Sequence, residues 1–172
     1  KMLKPKWLAV LNAAAEKAGW GKASPGVYQG IAQIMGYGSY VAAVAEVSVS
    51  KEGRLKIHRI VAATNPGHVV NPAQVERQVA GSFVYGLSAM LYGEITVSGG
   101  AVEQTNFDSY NVMRIDEMPK VEVVLVPTGD FWGGVGEPTI AVAAPAVLNA
   151  IFAATGKRVR SMPLMSHDLR SA

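Results

Sequence analysis

The sequence predicts a single α+β domain over residues 1–172, in which a mixed or antiparallel sheet is packed with about three helices. Three segments have the apolar spacing of helices, and runs rich in β-branched residues between them are typical of strands. Helices and strands mix without the strict alternation of a parallel α/β fold, and no repeat or low-complexity linker divides the chain. The length of 172 residues is enough for one core.

The first element is a predicted amphipathic helix, Pro5–Ala18, which Gly19 ends. Three strands are predicted to follow it, namely Gly26–Met35, Tyr40–Ser50 and Arg54–Ala63. The last two strands form a hairpin, because a tight-turn sequence with a glycine separates them. In the third strand we expect Lys56, His58 and Arg59 to face water.

The second helix is predicted to run from Pro72 to about Met90, with Asn71 as its N-cap. Gly81 and Gly86 interrupt it, and glycine inside a helix costs about 0.5–1 kcal/mol relative to alanine. Such a cost suggests that a neighbouring backbone or a ligand comes close. Gln78 is next to this small-residue patch, and its amide can donate and accept hydrogen bonds; the alternative is an exposed glutamine beside a tight helix crossing.

The C-terminal half is predicted to contain a short hairpin, an irregular segment, a strand, a helix and a tail. The hairpin strands are predicted at Glu94–Ser98 and Ala101–Gln104, and the irregular segment at Asn106–Glu117. The strand is predicted at Lys120–Pro127, the helix at Thr139–Thr155 and the tail at Ser161–Ala172. The irregular segment is polar and aromatic, and long ordered segments of this kind often line a site. Pro145 is expected to kink or break the helix, Gly156 to end it, and the tail to be extended and then frayed.

A glycine-rich turn with a carboxylate precedes the last helix: Gly133, Gly134 and Gly136, then Glu137 and Pro138. Proline is favoured at the first position of a helix, which would put Glu137 at the cap, where the helix dipole favours an anion by about 0.3–1 kcal/mol. Glycines allow a cofactor to approach the backbone closely. The turn therefore suits a rigidly held general base, although the same pattern also occurs as a plain helix entry with a charged cap.

Composition excludes several other classes of site. The chain has no cysteine, which rules out disulfides, thiolate metal sites and a cysteine nucleophile within it. Its three histidines lack metal-ligand spacing, no serine lies in a G-x-S-x-G elbow, and the glycine turn matches neither a dinucleotide fingerprint nor a P-loop. The net charge of +3 comes from scattered residues, which argues against nucleic-acid binding. No apolar run is long enough for a membrane span, and the low charge content suggests a partner surface.

Three stretches of the sequence form a recognisable combination. They are Gly134-Val135-Gly136-Glu137-Pro138 with the alanine-rich helix after it, Gln78-Val79-Ala80-Gly81-Ser82-Phe83, and Leu91-Tyr92-Gly93-Glu94 with the polar segment after it. This combination resembles the molybdenum hydroxylases, the family of xanthine dehydrogenase and aldehyde oxidase. It is most similar to beta subunits of the isoquinoline 1-oxidoreductase type. The resemblance extends over nearly the whole chain, from about Trp7 to Leu164.

The resemblance implies that the chain is the C-terminal part of a molybdopterin-binding large subunit. It implies an oxidoreductase that hydroxylates N-heterocycles or aldehydes with oxygen from water, with Glu137 as the general base. Gln78, Val79, Ala80 and Gly81, together with Gly134, Val135 and Gly136, then contact the cofactor. That cofactor is molybdenum–molybdopterin, possibly as the cytosine dinucleotide, bound jointly with the rest of the subunit. Iron–sulfur clusters would lie only on a partner chain, and the fragment alone would be inactive.

The sequence also departs from the family pattern. Relatives of this type usually have an aspartate-cysteine-glycine pattern where Thr64-Asn65-Pro66-Gly67-His68 stands, and a glutamate where Ala80 stands. Arg77 and Tyr85 also differ from what is expected of close relatives. These departures leave a second hypothesis open, in which the domain has the same fold but serves as a non-catalytic scaffold or binding module.

Overall fold

A computed structural model describes residues 4–170 of the chain. Its helices are α1 (Pro5–Ala18), α2 (Pro72–Tyr92) and α3 (Ile140–Thr155). Its strands are β1 (Tyr28–Gly36), β2 (Ser39–Val49), β3 (Leu55–Asn65), β4 (Val97–Ser98), β5 (Ala101–Val102) and β6 (Lys120–Leu125). The main sheet has the order β1-β2-β3-β6, antiparallel up to β3 and parallel between β3 and β6. The predicted α+β class with a mixed sheet and three helices is therefore confirmed.

Helices cover both faces of the sheet. Alternate residues of the central strand β2 point to opposite sides, so Ala42 and Val44 contact α1 while Val41 and Ala43 contact the layer formed by α2 and α3. All four are fully buried. A strand buried on both faces has a nearly continuous apolar sequence, which is what β2 shows.

Two glycines set how closely α3 approaches its neighbours. A Cβ atom on Gly30 of β1 would lie 2.2 Å from the carbonyl oxygen of Ala146, and one on Gly86 of α2 would lie 2.6 Å from the Cβ of Ala143. Both positions therefore admit only glycine without a backbone shift. The prediction that a backbone comes close to the glycines of α2 is confirmed at Gly86, where the neighbour is α3.

The face of the sheet under α1 carries a charged network. Arg59 donates to the carboxylate of Glu46 at 2.7 and 3.1 Å and to the carbonyl of Ala18 at 3.0 Å, while Gln29 also donates to Glu46 at 3.0 Å. Burial opposes ionisation of Glu46, but hydrogen bonds from Arg59 and Gln29 outweigh it, so the pKa of Glu46 lies below its usual value. The expectation that Arg59 faces water is wrong, because this ion pair holds it half-buried against the end of α1.

Several predicted boundaries need correction. Asn71 caps α2 as predicted, and Gly156 ends α3 in a left-handed conformation with φ 73°. However, α3 is continuous through Pro145, so the proline does not break it. The tail does not fray within the described residues, because Leu164 and Leu169 are buried; residues 171–172 lie outside the described residues.

Candidate cofactor site at the glycine turn

The glycine turn lies at the end of the sheet where β3 finishes, and hydrogen bonds tie it to two neighbouring loops. The Gly133 N–H donates to the carbonyl of Pro66, and the Gly134 N–H to that of Tyr37, both at 2.8 Å. The buried Ser39 hydroxyl donates to the carbonyl of Gly134 at 2.6 Å. A Cβ on Gly133 would lie 2.3 Å from the Ser39 hydroxyl oxygen, so this close approach requires glycine.

Ser82 links the turn to helix α2. Its hydroxyl, 2% exposed, lies 2.8 Å from the carbonyl oxygen of Gly136 and 2.8 Å from that of Gln78. The fold thus brings the residue before Glu137 against the helical turn that begins at Gln78, although the two segments are far apart in sequence. Through Ser82, the backbone of Gln78 and the residue that precedes Glu137 therefore both contact one hydroxyl group.

Glu137 is exposed at this position. No side chain in residues 4–170 forms an ion pair with it, so its carboxylate is not engaged in the interior of the domain. The prediction that it sits at the helix cap is wrong. Thr139 is the N-cap of α3, and the N–H of Ile140 donates to the carbonyl of Glu137 at 3.0 Å, closing a tight turn before the helix begins. This turn, together with the bonds of the glycines, fixes the position of Glu137.

The surface between Gln78 and Glu137 is open. A Cβ on Gly81 or on Gly136 would meet no atom within 4 Å, unlike one on Gly86 or Gly133. Gln78 is exposed, so its amide has both donor and acceptor capacity available. Open space bordered by glycines and an amide fits a planar, hydrogen-bonding group such as a pterin.

The other predicted contact residues divide into two groups. Ala80 and Gly134 lie at the surface of the site. Val79 is 1% exposed, so its side chain supports the site from beneath, while the half-buried Val135 packs against the core. Sequence reasoning missed Ser39 and Ser82, whose hydroxyls hold the turn, because nothing in the local sequence distinguishes them from ordinary buried serines.

Metal ligands are not part of this surface. Within the described residues 4–170, no three His, Asp or Glu side chains gather as a metal-binding group. In the same part of the chain, no helix combines the length and the apolarity needed to cross a bilayer.

A cavity of about 870 Å³ lies elsewhere, at the opposite end of β3. His58, Tyr92 and Met113 are among its lining residues. Burial and a hydrogen bond to the carboxylate of Glu117 raise the pKa of Tyr92 to about 12. Three residues of the irregular segment Asn106–Glu117 therefore line this cavity, namely Met113, Asp116 and Glu117. The glycine turn is the candidate site, because it carries the predicted carboxylate and borders the open space beside Gly81 and Gly136.

These features define a class of protein: an α+β domain with an open surface that lies between a carboxylate on a glycine turn and an amide on a helix. The profile of the molybdopterin cofactor-binding domain matches residues 6–119. The chain belongs to this family, and its resemblance to the molybdenum hydroxylases is confirmed.

Comparisons with individual proteins agree with this family. The chain is 32% identical over 165 residues to the isoquinoline 1-oxidoreductase subunit beta of Brevundimonas diminuta, covering 93% of this chain and 21% of that protein. It is 30% identical over 168 residues to the membrane-bound aldehyde dehydrogenase [pyrroloquinoline-quinone] of Gluconacetobacter polyoxogenes, covering 94% and 22%. The chain thus spans about a fifth of the length of these curated relatives.

A solved structure supports the same fold. The aldehyde oxidoreductase from Desulfovibrio desulfuricans ATCC 27774 is 25% identical to the chain and superposes with a TM-score of 0.61. The match covers 73% of this chain and 14% of that one.

Proposed function

We propose that this chain supplies one wall of the molybdenum–molybdopterin site in an oxidoreductase that hydroxylates N-heterocycles or aldehydes with oxygen from water. In this proposal Glu137 is the general base, while Gln78, Ala80, Gly81, Gly134 and Gly136 contact the cofactor. The observation that carries the proposal is the Ser82 hydroxyl, which joins the turn before Glu137 to the helical turn at Gln78.

The proposed roles follow from the surroundings of each residue. The cofactor, when bound, supplies the redox chemistry. The carboxylate of Glu137 is exposed and takes part in no ion pair within residues 4–170, so it is available to accept a proton at its oxygen atoms. Hydrogen bonds from Ser39 and Ser82 hold the turn in one geometry. General-base catalysis of this kind contributes a factor of about 10²–10⁴ to the rate.

The remaining parts of the enzyme are proposed from the relatives. Because the chain spans only about a fifth of their length, the rest of a molybdopterin-binding subunit would complete the cofactor pocket. The isoquinoline 1-oxidoreductase relative is named as a subunit. We therefore include in the proposal an iron–sulfur subunit that carries electrons away. We include the cytosine dinucleotide form of the cofactor in this proposal. The chain without these parts is expected to be inactive.

Cofactor content tests the role of Gln78. The complete enzyme is purified with Gln78→Ala and, as a matched control, with Gln74→Ala, which removes an exposed glutamine one turn earlier on α2. We expect molybdenum and pterin to fall in Gln78→Ala and to remain in the control, because only Gln78 borders the open surface. Equal cofactor content in both variants would refute the assignment.

The same preparations separate the proposal from its alternatives. A stable complex that contains neither molybdenum nor pterin would favour a non-catalytic scaffold, the reading suggested by the departures at Asn65–His68 and Ala80. Pyrroloquinoline quinone is measured in the same extracts, because the name of one relative carries it. Quinone in place of molybdopterin would refute the proposed cofactor.

A further inference from the structure

Four exposed aromatic residues are carried by loops whose backbones meet at the glycine turn. Phe131 is 92% exposed, Tyr37 68% and Trp132 62%, and the ring of Trp132 stacks on that of the exposed His68 with centroids 5.9 Å apart. We call these four residues the aromatic surface. Single exposed apolar residues are normal, but a contiguous group of large ones marks an interaction site.

The backbone under the aromatic surface is firmly held. The N–H groups of Thr128 and Gly129 both donate to the carbonyl of Gly67 at 3.0 Å, on one side of Phe131 and Trp132. On the other side, Gly133 donates to Pro66. Asp130 forms an ion pair with Lys6 at the start of α1. The rings are therefore presented by a fixed loop, and rigid aromatic anchors are the residues that dominate protein interfaces.

Tyr37 provides an independent indication. It lies between Gly36 and Gly38 at the tip of the β1–β2 hairpin with φ 53°, and it is the only non-glycine residue of the described chain with a positive φ. This left-handed conformation is an outlier for a bulky residue, and asparagine or glycine would adopt it with less strain. An exposed tyrosine at such a position costs the isolated domain stability, so its ring is of use to something outside the domain.

We propose that the aromatic surface is the docking surface for the polypeptide that supplies the other four fifths of the relatives' length. This inference rests on the proposed function only in that it takes the chain to be one part of a larger subunit. The chain covers 21–22% of the length of the first relatives, and the rest of that length is the occupant proposed for the aromatic surface. The carboxylate of Asp130, which precedes the two rings of Phe131 and Trp132, is paired with Lys6, so it does not stand as an isolated charge against an apolar partner.

Docking at this surface also completes the candidate site. Gly134 lies directly against Tyr37, with its N–H bonded to the carbonyl of Tyr37 at 2.8 Å, so a partner that covers the rings adjoins the turn that carries Glu137. The same contact that buries the aromatic surface brings a second wall next to the carboxylate and excludes water from it.

Hydroxyl-radical footprinting with mass spectrometry tests the docking residue by residue. Oxidation of Trp132 is compared between the 172-residue chain and the longer subunit, without iron–sulfur subunit or substrate. Trp20, 45% exposed at the other end of α1, is the matched control. If Trp132 enters a fully buried interface core, its oxidation falls about fivefold or more in the longer subunit, while that of Trp20 is unchanged.

Any of the following footprinting results overturns the proposal. Protection that appears only with the iron–sulfur subunit assigns the surface to that partner, and protection only with an added heterocycle makes it a substrate contact. If Trp132 is protected from oxidation in the 172-residue chain by itself, at high protein concentration, the surface mediates self-association. Undiminished oxidation in every state means that the surface has no partner.

A substitution at Tyr37 separates an effect on docking from an effect on folding. Tyr37→Asn is expected to leave the melting temperature of the 172-residue chain unchanged or higher, because the strain is relieved, while Trp132 in the longer subunit regains part of its oxidation. A lower melting temperature with full protection would contradict the role given to Tyr37. Molybdenum is measured in the same samples. If Trp132 is protected in a longer subunit that contains no molybdenum, only the proposed function is refuted. If the longer subunit contains molybdenum but Trp132 is not protected, only the docking is refuted.

Discussion

Two glycines of helix α2 allow the same substitution to be tested in opposite surroundings. Gly81 faces open space, since a Cβ there would meet nothing within 4 Å. Replacing a helical glycine by alanine stabilises a helix by about 0.5–1 kcal/mol when the methyl group is accommodated. We therefore expect Gly81→Ala to raise the free energy of unfolding of the 172-residue chain by about this amount.

The matched variant is Gly86→Ala, for which the structure predicts the opposite sign. Its Cβ would lie 2.6 Å from the Cβ of Ala143 and 2.8 Å from the carbonyl oxygen of Ile140, which belongs to the backbone and cannot move cheaply. Overpacking of this kind costs about 1–3 kcal/mol, against which the helix gains about 0.5–1 kcal/mol. The net result is a destabilisation of up to about 2.5 kcal/mol.

Urea unfolding of the two variants measures this contrast, with the slope m as a check on two-state behaviour. In the complete enzyme, Gly81→Ala is then expected to lower molybdenum and pterin content despite its greater stability, because the added methyl group occupies the space left for the cofactor. A destabilised Gly81→Ala chain, or full cofactor content in the Gly81→Ala enzyme, would show that the space beside Gly81 is not part of the site.

Two further predictions concern the bonds that position the site and the sheet. Ser82→Ala is expected to cost about 1–2 kcal/mol, since the carbonyl of Gly136 loses its partner, and to lower kcat with little change in cofactor content; an unchanged kcat would contradict its positioning role. Glu46→Gln, which breaks the pair with Arg59, is expected to cost about 1–3 kcal/mol at pH 7. Because the pKa of Glu46 is lowered in the folded state, this loss is complete above a pH of about 4.5 and disappears as the pH falls through the folded pKa. Urea unfolding from about pH 7 to pH 3 follows the difference, and a loss that persists at the lowest pH would be inconsistent with this ion pair.

The elements of the fold could be predicted from the sequence because each carries a strong local pattern. The α1 helix was predicted with its observed bounds, Pro5–Ala18, since a proline begins it and a glycine in the left-handed conformation ends it. The parallel pairing of β3 with β6 could not be assigned in this way. It depends on how a long connection containing α2 returns to the sheet, which local periodicity does not encode.

The site could be predicted in part for the same reason. The glycines and Glu137 form a local signature, but the Ser82–Gly136 hydrogen bond joins residues 54 apart and the Ser39–Gly134 bond joins residues 95 apart. Such contacts arise only when the elements pack. The misplaced helix cap has a local cause: the preference of proline for the first helical position was outweighed by the tight turn that precedes Ile140.

The most direct test of the central claim is Glu137→Gln in the complete enzyme, with Glu76→Gln, an exposed glutamate on α2, as control. Glutamine keeps the shape of the side chain but cannot act as a base, so we expect kcat to fall by about 10²–10⁴ while molybdenum and pterin content stay normal. Glu76→Gln is expected to retain full activity. Full activity in Glu137→Gln would remove the role proposed for this carboxylate, and loss of the cofactor instead of the rate would make it a binding residue.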